Sequence, residues 1–325
     1  MRGFFTNALI GIATAITASP AVAQWSPSRN IEIIAPAAAG SAMDNMSRLL
    51  QRVMQEKKLT TSTITIANRS GAGNAVGFNY LASHAGDAHY VLVTPLTLIS
   101  NRITGGNPLN YEDFTPLAML ANEYPGFVVL PDSPIKSGRD LVERLKKDPE
   151  SVSMGLATGL GNASHITVSL VGKSASADIK RFKIAVFNAG SESVRAVMGG
   201  HIDLALTGTA ALGPHVAAGR LRVIAVASPQ RLKGELSQVP TWREQGVDVA
   251  FGNWRALIGP RGMSAEQIAY WETLLTRITS QEEWTTQLDR TGLQPGFVGS
   301  EATRKMFAQQ DVQLRATLTE LGLAK

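Results

Sequence analysis

The chain has 325 residues, with 31 Lys and Arg against 26 Asp and Glu, a formal net charge of +5 and no cysteine. The missing thiols exclude disulfide frameworks, zinc–thiolate centres and cysteine nucleophiles. A charge excess this mild, without basic runs interleaved with aromatics, excludes an ordinary nucleic-acid surface, and no nucleic-acid partner is expected.

Arg2, the apolar stretch Ala8 to Ala18 and the small residues Ala21-Val22-Ala23 have the three parts of an export signal. The apolar stretch falls well short of the roughly 20 residues that a spanning helix needs. Residues 1–23 are therefore expected to be cleaved after Ala23, leaving a periplasmic protein of charge +4. Every later hydrophobic run is interrupted by Arg, Lys, Asp or Gly before it reaches membrane length.

Beyond the signal, short β-rich runs, small-residue turns and amphipathic helices alternate, the pattern of an α/β fold with largely parallel sheets. Ile31 to Ala35 reads as a buried strand and Pro36 to Ser41 as a turn. Met43, Met46, Leu49, Leu50 and Val53 then mark one face of a helix. Ile64 to Ile66, the Gly71 and Gly73 turn and a helix through Ala82 repeat the plan, and Val91 to Val93 gives a third strand. A strand from Phe127 to Leu130 leads to a helix capped by Ser137, with Asp140 in its first turn. Val152 to Leu156 returns to strand before the glycine-rich segment 155–161. Strands at 182–187, 202–206 and 221–227 follow, with helices starting near Ser191 and Ala210. After a strand at 254–259 the remainder reads as helix alone, ending in 302–323. Terminal helices need a sheet to cover, which returns the last segment to the first unit. The expected organisation is a discontinuous lobe of residues 24–124 plus 247–325 and a second lobe of 125–246, with crossings near Tyr124 and at 246–254.

Three small-residue turns follow strands: Pro36 to Ser41, Thr158 to Ser164, and Asn188 to Ser191. Turns at the carboxyl ends of α/β strands are where ligands bind, and the helix starting there offers unpaired N–H groups to an anion. Small residues also simply permit tight turns, so each taken singly has both readings. Asp44 in a first helical turn is explained equally by the helix dipole and by a ligand role. Arg69, Arg195 and Arg255 are candidates for a bidentate bond to a carboxylate, with Arg255 favoured by its place on a crossing. Gly71-Ala72-Gly73-Asn74 lacks the full dinucleotide glycine spacing. Ser164 beside His165 has no nucleophile elbow around it, so a hydrolase is a weak alternative. His84, His89, His165, His201 and His215 show no paired ligand spacing, so no metal is expected.

In sequence order, Pro36-Ala37-Ala38-Ala39-Gly40-Ser41-Ala42-Met43-Asp44, Asn68-Arg69-Ser70-Gly71-Ala72-Gly73-Asn74, Gly199-Gly200-His201-Ile202-Asp203, Ala218 to Val226, Pro240-Thr241 and Trp254 to Pro260 are similar to the landmarks of one family. On these, the chain from Ile31 to Leu323 resembles the Bug family, the substrate-binding components of tripartite tricarboxylate transporters. The resemblance implies a type II periplasmic-binding-protein fold, two Rossmann-like lobes closing on a ligand cleft. It implies a small carboxylate ligand, a di- or tricarboxylate, aromatic dicarboxylates included. Large and small membrane subunits are the implied partners of a monomer without cofactor, metal or catalytic residue. Carried over residue by residue, the contacts are Ala38, Gly40, Ser41 and Asp44, then Thr94, Thr158, Ser164, Asn188 and Gly190. Arg255 after Trp254 is similar to the tricarboxylate-binding branch. The chain departs from the pattern at Ala39, where a second glycine is usual, and at Asn188-Ala189-Gly190. Ala39 narrows the backbone freedom of the anion loop, and the loss of a lysine option at 188–190 favours a less charged or aromatic acid over citrate. A ligand-presenting sensor for a membrane kinase is the alternative role.

Overall fold

The structure, a computed structural model, describes residues 25–157, 160–187, 189–209 and 212–325. The expected export signal with its cut after Ala23, the site residues Thr158 and Asn188, and the helix start at Ala210 lie outside the described residues. Among the described residues no helix is long and apolar enough to cross a membrane.

Two mixed sheets organise the chain. The first contains β1 (Ile31–Ala35), β2 (Ile64–Asn68), β3 (Tyr90–Thr94), β4 (Phe114–Glu123), β10 (Asn253–Pro260) and β11 (Gln294–Gly299), in the order β11-β4-β10-β3-β1-β2. The second contains β5 (Pro125–Val129), β6 (Ser153–Ala157), β7 (Lys183–Phe187), β8 (Leu204–Gly208) and β9 (Arg222–Val226), in the order β7-β6-β8-β5-β9. Within each sheet three strands are parallel, as the βα alternation requires. The strands beside the crossings, β5 and β10, run antiparallel to both of their neighbours.

The helices are α1 (Ala42–Glu56), α2 (Ala75–Ala82), α3 (Thr97–Thr104), α4 (Gly138–Lys147), α5 (Ala163–Ser174), α6 (Gly190–Met198), α7 (Gly213–Ala217), α8 (Ala265–Thr279), α9 (Glu282–Arg290) and α10 (Ser300–Glu320). The stripe read from sequence on α1 is buried, with Met54 added to it. It packs with Trp271, Leu275 and Ile278 of α8 and with Trp284 and Leu288 of α9 on one face of the first sheet. The other face carries α2, α3 and α10. The α10 side chains Phe307, Leu314 and Leu318 are fully buried, each worth about 1.5–3 kcal/mol relative to exposure. The same cluster takes in Ala163 and Ile166 of α5, and Lys173 pairs with Glu320 at 2.5 Å. The terminal helix thus packs on elements from both sheets.

Two strands were not expected from the sequence. Phe114–Glu123 carries Pro116 inside an almost continuous run of Leu, Ala and Met, composition that fits a buried helix as well as a central strand. Gln294–Gly299 corrects the reading of an all-helical terminus: it is an edge strand on β4, with a register irregularity between Pro295 and Val298. There the Met119 N–H donates to Thr303 Oγ1 of α10 at 2.8 Å instead of to a strand partner.

Strand register brings the sequence-selected turns together at one end of each sheet. Pairing of Ile34 with Leu92 and of Thr94 with Ala256 sets the end of β1 beside the end of β3 and the start of β10. Glu123 faces Asn253, and only Tyr124 separates it from Pro125, which faces Gly208. Leu156 pairs with Leu206 and Ala157 with Phe187. The loops after β1, β3, β6, β7 and β8 therefore all leave at the crossing end.

Candidate functional site

One local construction appears twice at this end, once in each sheet. Ser41, the N-cap of α1, accepts the Asp44 N–H at 3.2 Å. The Asp44 carboxylate reaches back to accept the Gly40 N–H at 2.8 Å. At α5 the N-cap Asn162 accepts the His165 N–H at 2.9 Å, and His165 Nδ1 accepts the Gly161 N–H at 3.0 Å. Each is a capping box whose return bond lands one residue earlier than usual, on a glycine with φ near +80° that favours having no Cβ. With both loops fixed in this way, Ala42 and Met43 of α1, and Ala163 and Ser164 of α5, supply first-turn N–H groups that no carbonyl of their own helix reaches. Helix dipoles add partial positive charge at both places.

The first loop is braced further by the Asn68 to Asn74 segment. Asn68 Nδ2 donates to the Ala37 carbonyl and to Asp44 Oδ1, both at 3.0 Å. Asn74 Nδ2 donates to the Pro36 carbonyl at 2.7 Å while its Oδ1 accepts from Thr97 Oγ1 at 2.7 Å. Asn74 holds φ +81°, and Gly73 beside it φ +60°, which explains two conformationally permissive residues in the motif. Gly77 of α2 lies so close to Pro36 that an added Cβ would come within 2.9 Å of the Pro36 Cα.

Both side chains that close the loops are buried, Asp44 at 1 % and His165 at 4 % exposure. Burial on its own raises the Asp44 carboxyl, but the hydrogen bonds from Arg48, Gly40 and Asn68, with the Arg48 charge, outweigh it and hold the group below its ordinary value. Asp44 is therefore an anion whose oxygens are occupied by its own loop. Burial pushes His165 down to about 4, so near neutrality it is an uncharged imidazole with Nδ1 as acceptor and the proton on Nε2.

The remaining expected residues divide. Ala38 and Gly40 are exposed in the first loop, and the Gly40 amide is engaged by Asp44. Ser41 is the cap. Thr94 is fully buried at the end of β3 and donates to the Pro95 carbonyl at 3.0 Å. Ser164 stands in the first turn of α5, and no bond joins it to His165, whose Nδ1 holds Gly161. Gly190 opens α6 against β8, where an added Cβ would overlap Thr207 Oγ1. Gly190→Ala is expected to force the α6 start away from β8, costing about 1–3 kcal/mol in a denaturant melt; an unchanged midpoint would mean that α6 is free to shift.

Arg255, 3 % exposed, pairs with Glu123 at 2.5 Å and donates to the carbonyls of Asn253 and Trp254 at 3.0 and 3.3 Å. Of the other two arginines weighed, Arg69 lies 4.1 Å over the Tyr80 ring and Arg195 is exposed on α6. Neither joins the converging loops. Among the described residues no group of three or more His, Cys, Asp or Glu is arranged to hold a metal. Sequence reasoning missed Glu123 and the return bonds from Gly40 and Gly161. The signal for the latter was present as Gly40-Ser41-Ala42-Met43-Asp44 beside Gly161-Asn162-Ala163-Ser164-His165.

Residues 46–323 match the family described as the tripartite tricarboxylate transporter family receptor. Full-length relatives are similar at low identity. A UPF0065 protein of Cupriavidus necator is 24 % identical over 332 residues, covering 100 % of this chain and 98 % of its own. Protein BugT of Bordetella pertussis is 25 % identical over 322 residues, covering 97 % of each. Among solved structures, a Polaromonas solute-binding protein without ligand superposes with TM-score 0.76 at 23 % identity, over 91 % of this chain and 99 % of its own. A Rhodopseudomonas palustris protein solved with adipate gives 0.78 at 22 %, over 92 % and 99 %. The malate-bound MatC of the same organism gives 0.73 at 20 %, over 90 % and 100 %. The fold is thus that of the two-lobed periplasmic solute-binding proteins, as the sequence led us to expect. The chain belongs to the tripartite tricarboxylate transporter receptor family, whose members are solute-binding proteins and not enzymes.

Proposed function

We infer that this chain is an exported binding protein that captures a small di- or tricarboxylate, aromatic diacids included, and delivers it to the membrane subunits of a tripartite transporter. The observation that carries the reading is the repeated construction at 40–44 and 161–165, which aims two rigid helix starts, one from each sheet, at the crossing end. Each offers N–H donors to an anion without a side-chain cation that would have to be desolvated. The adipate and malate seen with similar folds support an acid of this size. In this reading the lobes are 24–124 with 247–325, and 125–246, and they close by bending at the two crossings. Ala38, Ser41, Ser164 and Gly190 border the acid together with Thr158 and Asn188; Thr94 lies beneath it, Gly40 and Asp44 shape the first loop, and Arg255 belongs to the floor.

The test is calorimetry on the purified chain lacking residues 1–23, against linear, hydroxylated and aromatic di- and tricarboxylates. Binding of at least one acid with micromolar or tighter affinity is expected. Heat-silent titrations with no thermal shift for every acid would refute the reading.

A further inference from the structure

The floor of the proposed cleft contains a carboxylate of the protein itself. Glu123 ends β4 at the first crossing. It borders a small pocket of about 110 Å3 between Ala42 and Met46 of α1 and Gln287, Thr291 and Leu293 in and after α9. A Cβ added to Gly208, the last residue of β8, would overlap Glu123 Oε1, so this carboxylate sits against the end of the second sheet as well. Glu123 Oε2 is held by Arg255 at 2.5 Å, while Oε1 points at the Gly208 backbone and has no hydrogen-bond donor among the described residues. The pair has two consequences. Arg255 is already neutralised by Glu123, and turning it to a ligand carboxylate would leave the half-buried Glu123 unpaired, which is unfavourable. The oxygen that remains open, Oε1, repels an anion and accepts a hydrogen bond.

We propose that Glu123 is a specificity-determining residue: with the ligand's carboxylates taken by the helix starts, it selects acids that also bear a hydrogen-bond donor, a hydroxyl or ammonium, over the unsubstituted acid of the same length. This rests on the proposed carboxylate-binding function and narrows it. Arg255 acts through Glu123 as a positioning residue.

The experiment compares matched pairs by calorimetry on the chain without residues 1–23: succinate with malate and aspartate, glutarate with glutamate, and tricarballylate with citrate. The wild type is expected to favour the donor-bearing member of at least one pair by about tenfold or more. Glu123→Gln frees the Arg255 charge and is expected to tighten the unsubstituted acid and reduce the preference to within about twofold. Should that variant fail to fold, Glu123→Gln with Arg255→Gln, which leaves no lone buried charge, is expected to lose the preference without the tightening. Equal binding of both members by the wild type, or a preference that survives in either folded variant, overturns the role of Glu123 while leaving carboxylate binding intact. Absence of binding to every acid overturns both.

Discussion

Asp44→Ala is expected to weaken the bound acid by about a hundredfold or more and to lower stability by about 2–4 kcal/mol. Asp44 contributes no contact of its own to this loss. Its carboxylate is the shared acceptor for the Gly40 N–H, the Arg48 Nε and the Asn68 amide, so truncation removes the Gly40 return bond, leaves Asn68 with the Ala37 carbonyl alone and Arg48 with solvent, and releases Gly40 from its left-handed conformation. The loop that sets the α1 start then loses its shape. Asp44→Asn keeps the size but turns an NH2 toward one of these donors, and an intermediate loss is expected. Because the folded Asp44 titrates below its unfolded value, its contribution is complete above about pH 4 and is lost as the pH falls through the lower folded value. Urea melts across pH 2–6 for the wild type and both variants measure this directly. Equal midpoints for wild type and Asp44→Ala would contradict the bracing role.

The second large effect is acid sensitivity from His165. The unfolded chain takes up the imidazole proton near pH 6.5, whereas the folded chain resists it until about 4. Stability from this group is therefore complete above pH 6.5 and declines as the pH falls, by about 3 kcal/mol at pH 4. Protonation also places hydrogen on Nδ1, which can then no longer accept from Gly161, so the second loop loosens over the same range. His165→Asn puts an amide oxygen near the position of Nδ1 and removes the titration. It is expected to flatten the melting midpoint between pH 4 and 6.5 while retaining ligand affinity at pH 7.5. An identical acid limb in the variant would assign the loss to other groups.

The parallel cores and the loops after β1 and β6 were legible in the sequence because local signals agree there: a short, mostly apolar run, a glycine, a capping residue and a helix with buried apolar positions. The β4 strand was not, because Leu, Ala and Met in a continuous buried run carry no period that separates strand from helix. The edge strand β11 was hidden by Pro295 and Gly296, tolerated there because it pairs on one side only. The site was legible as turns and not as bonds. That Asp44 and His165 play the same part is invisible residue by residue, since a carboxylate and an imidazole share only the ability to accept a hydrogen bond. Arg255 was legible as a cation, but its partner Glu123 is 132 positions away and is brought beside it by the pairing of β4 with β10.

In the proposed function the acid is held between helix starts from the two sheets. The most direct measurement is a crystal structure of the chain with the acid that binds it most tightly. Carboxylate oxygens are expected within hydrogen-bonding distance of first-turn amides of both α1 and α5, with Asp44 and His165 still on Gly40 and Gly161. An acid seated instead in the mixed-charge groove between α1 and α9 that holds Arg52, Arg290 and the Lys57–Glu283 pair, with the loops at 38–44 and 160–165 untouched, would contradict it.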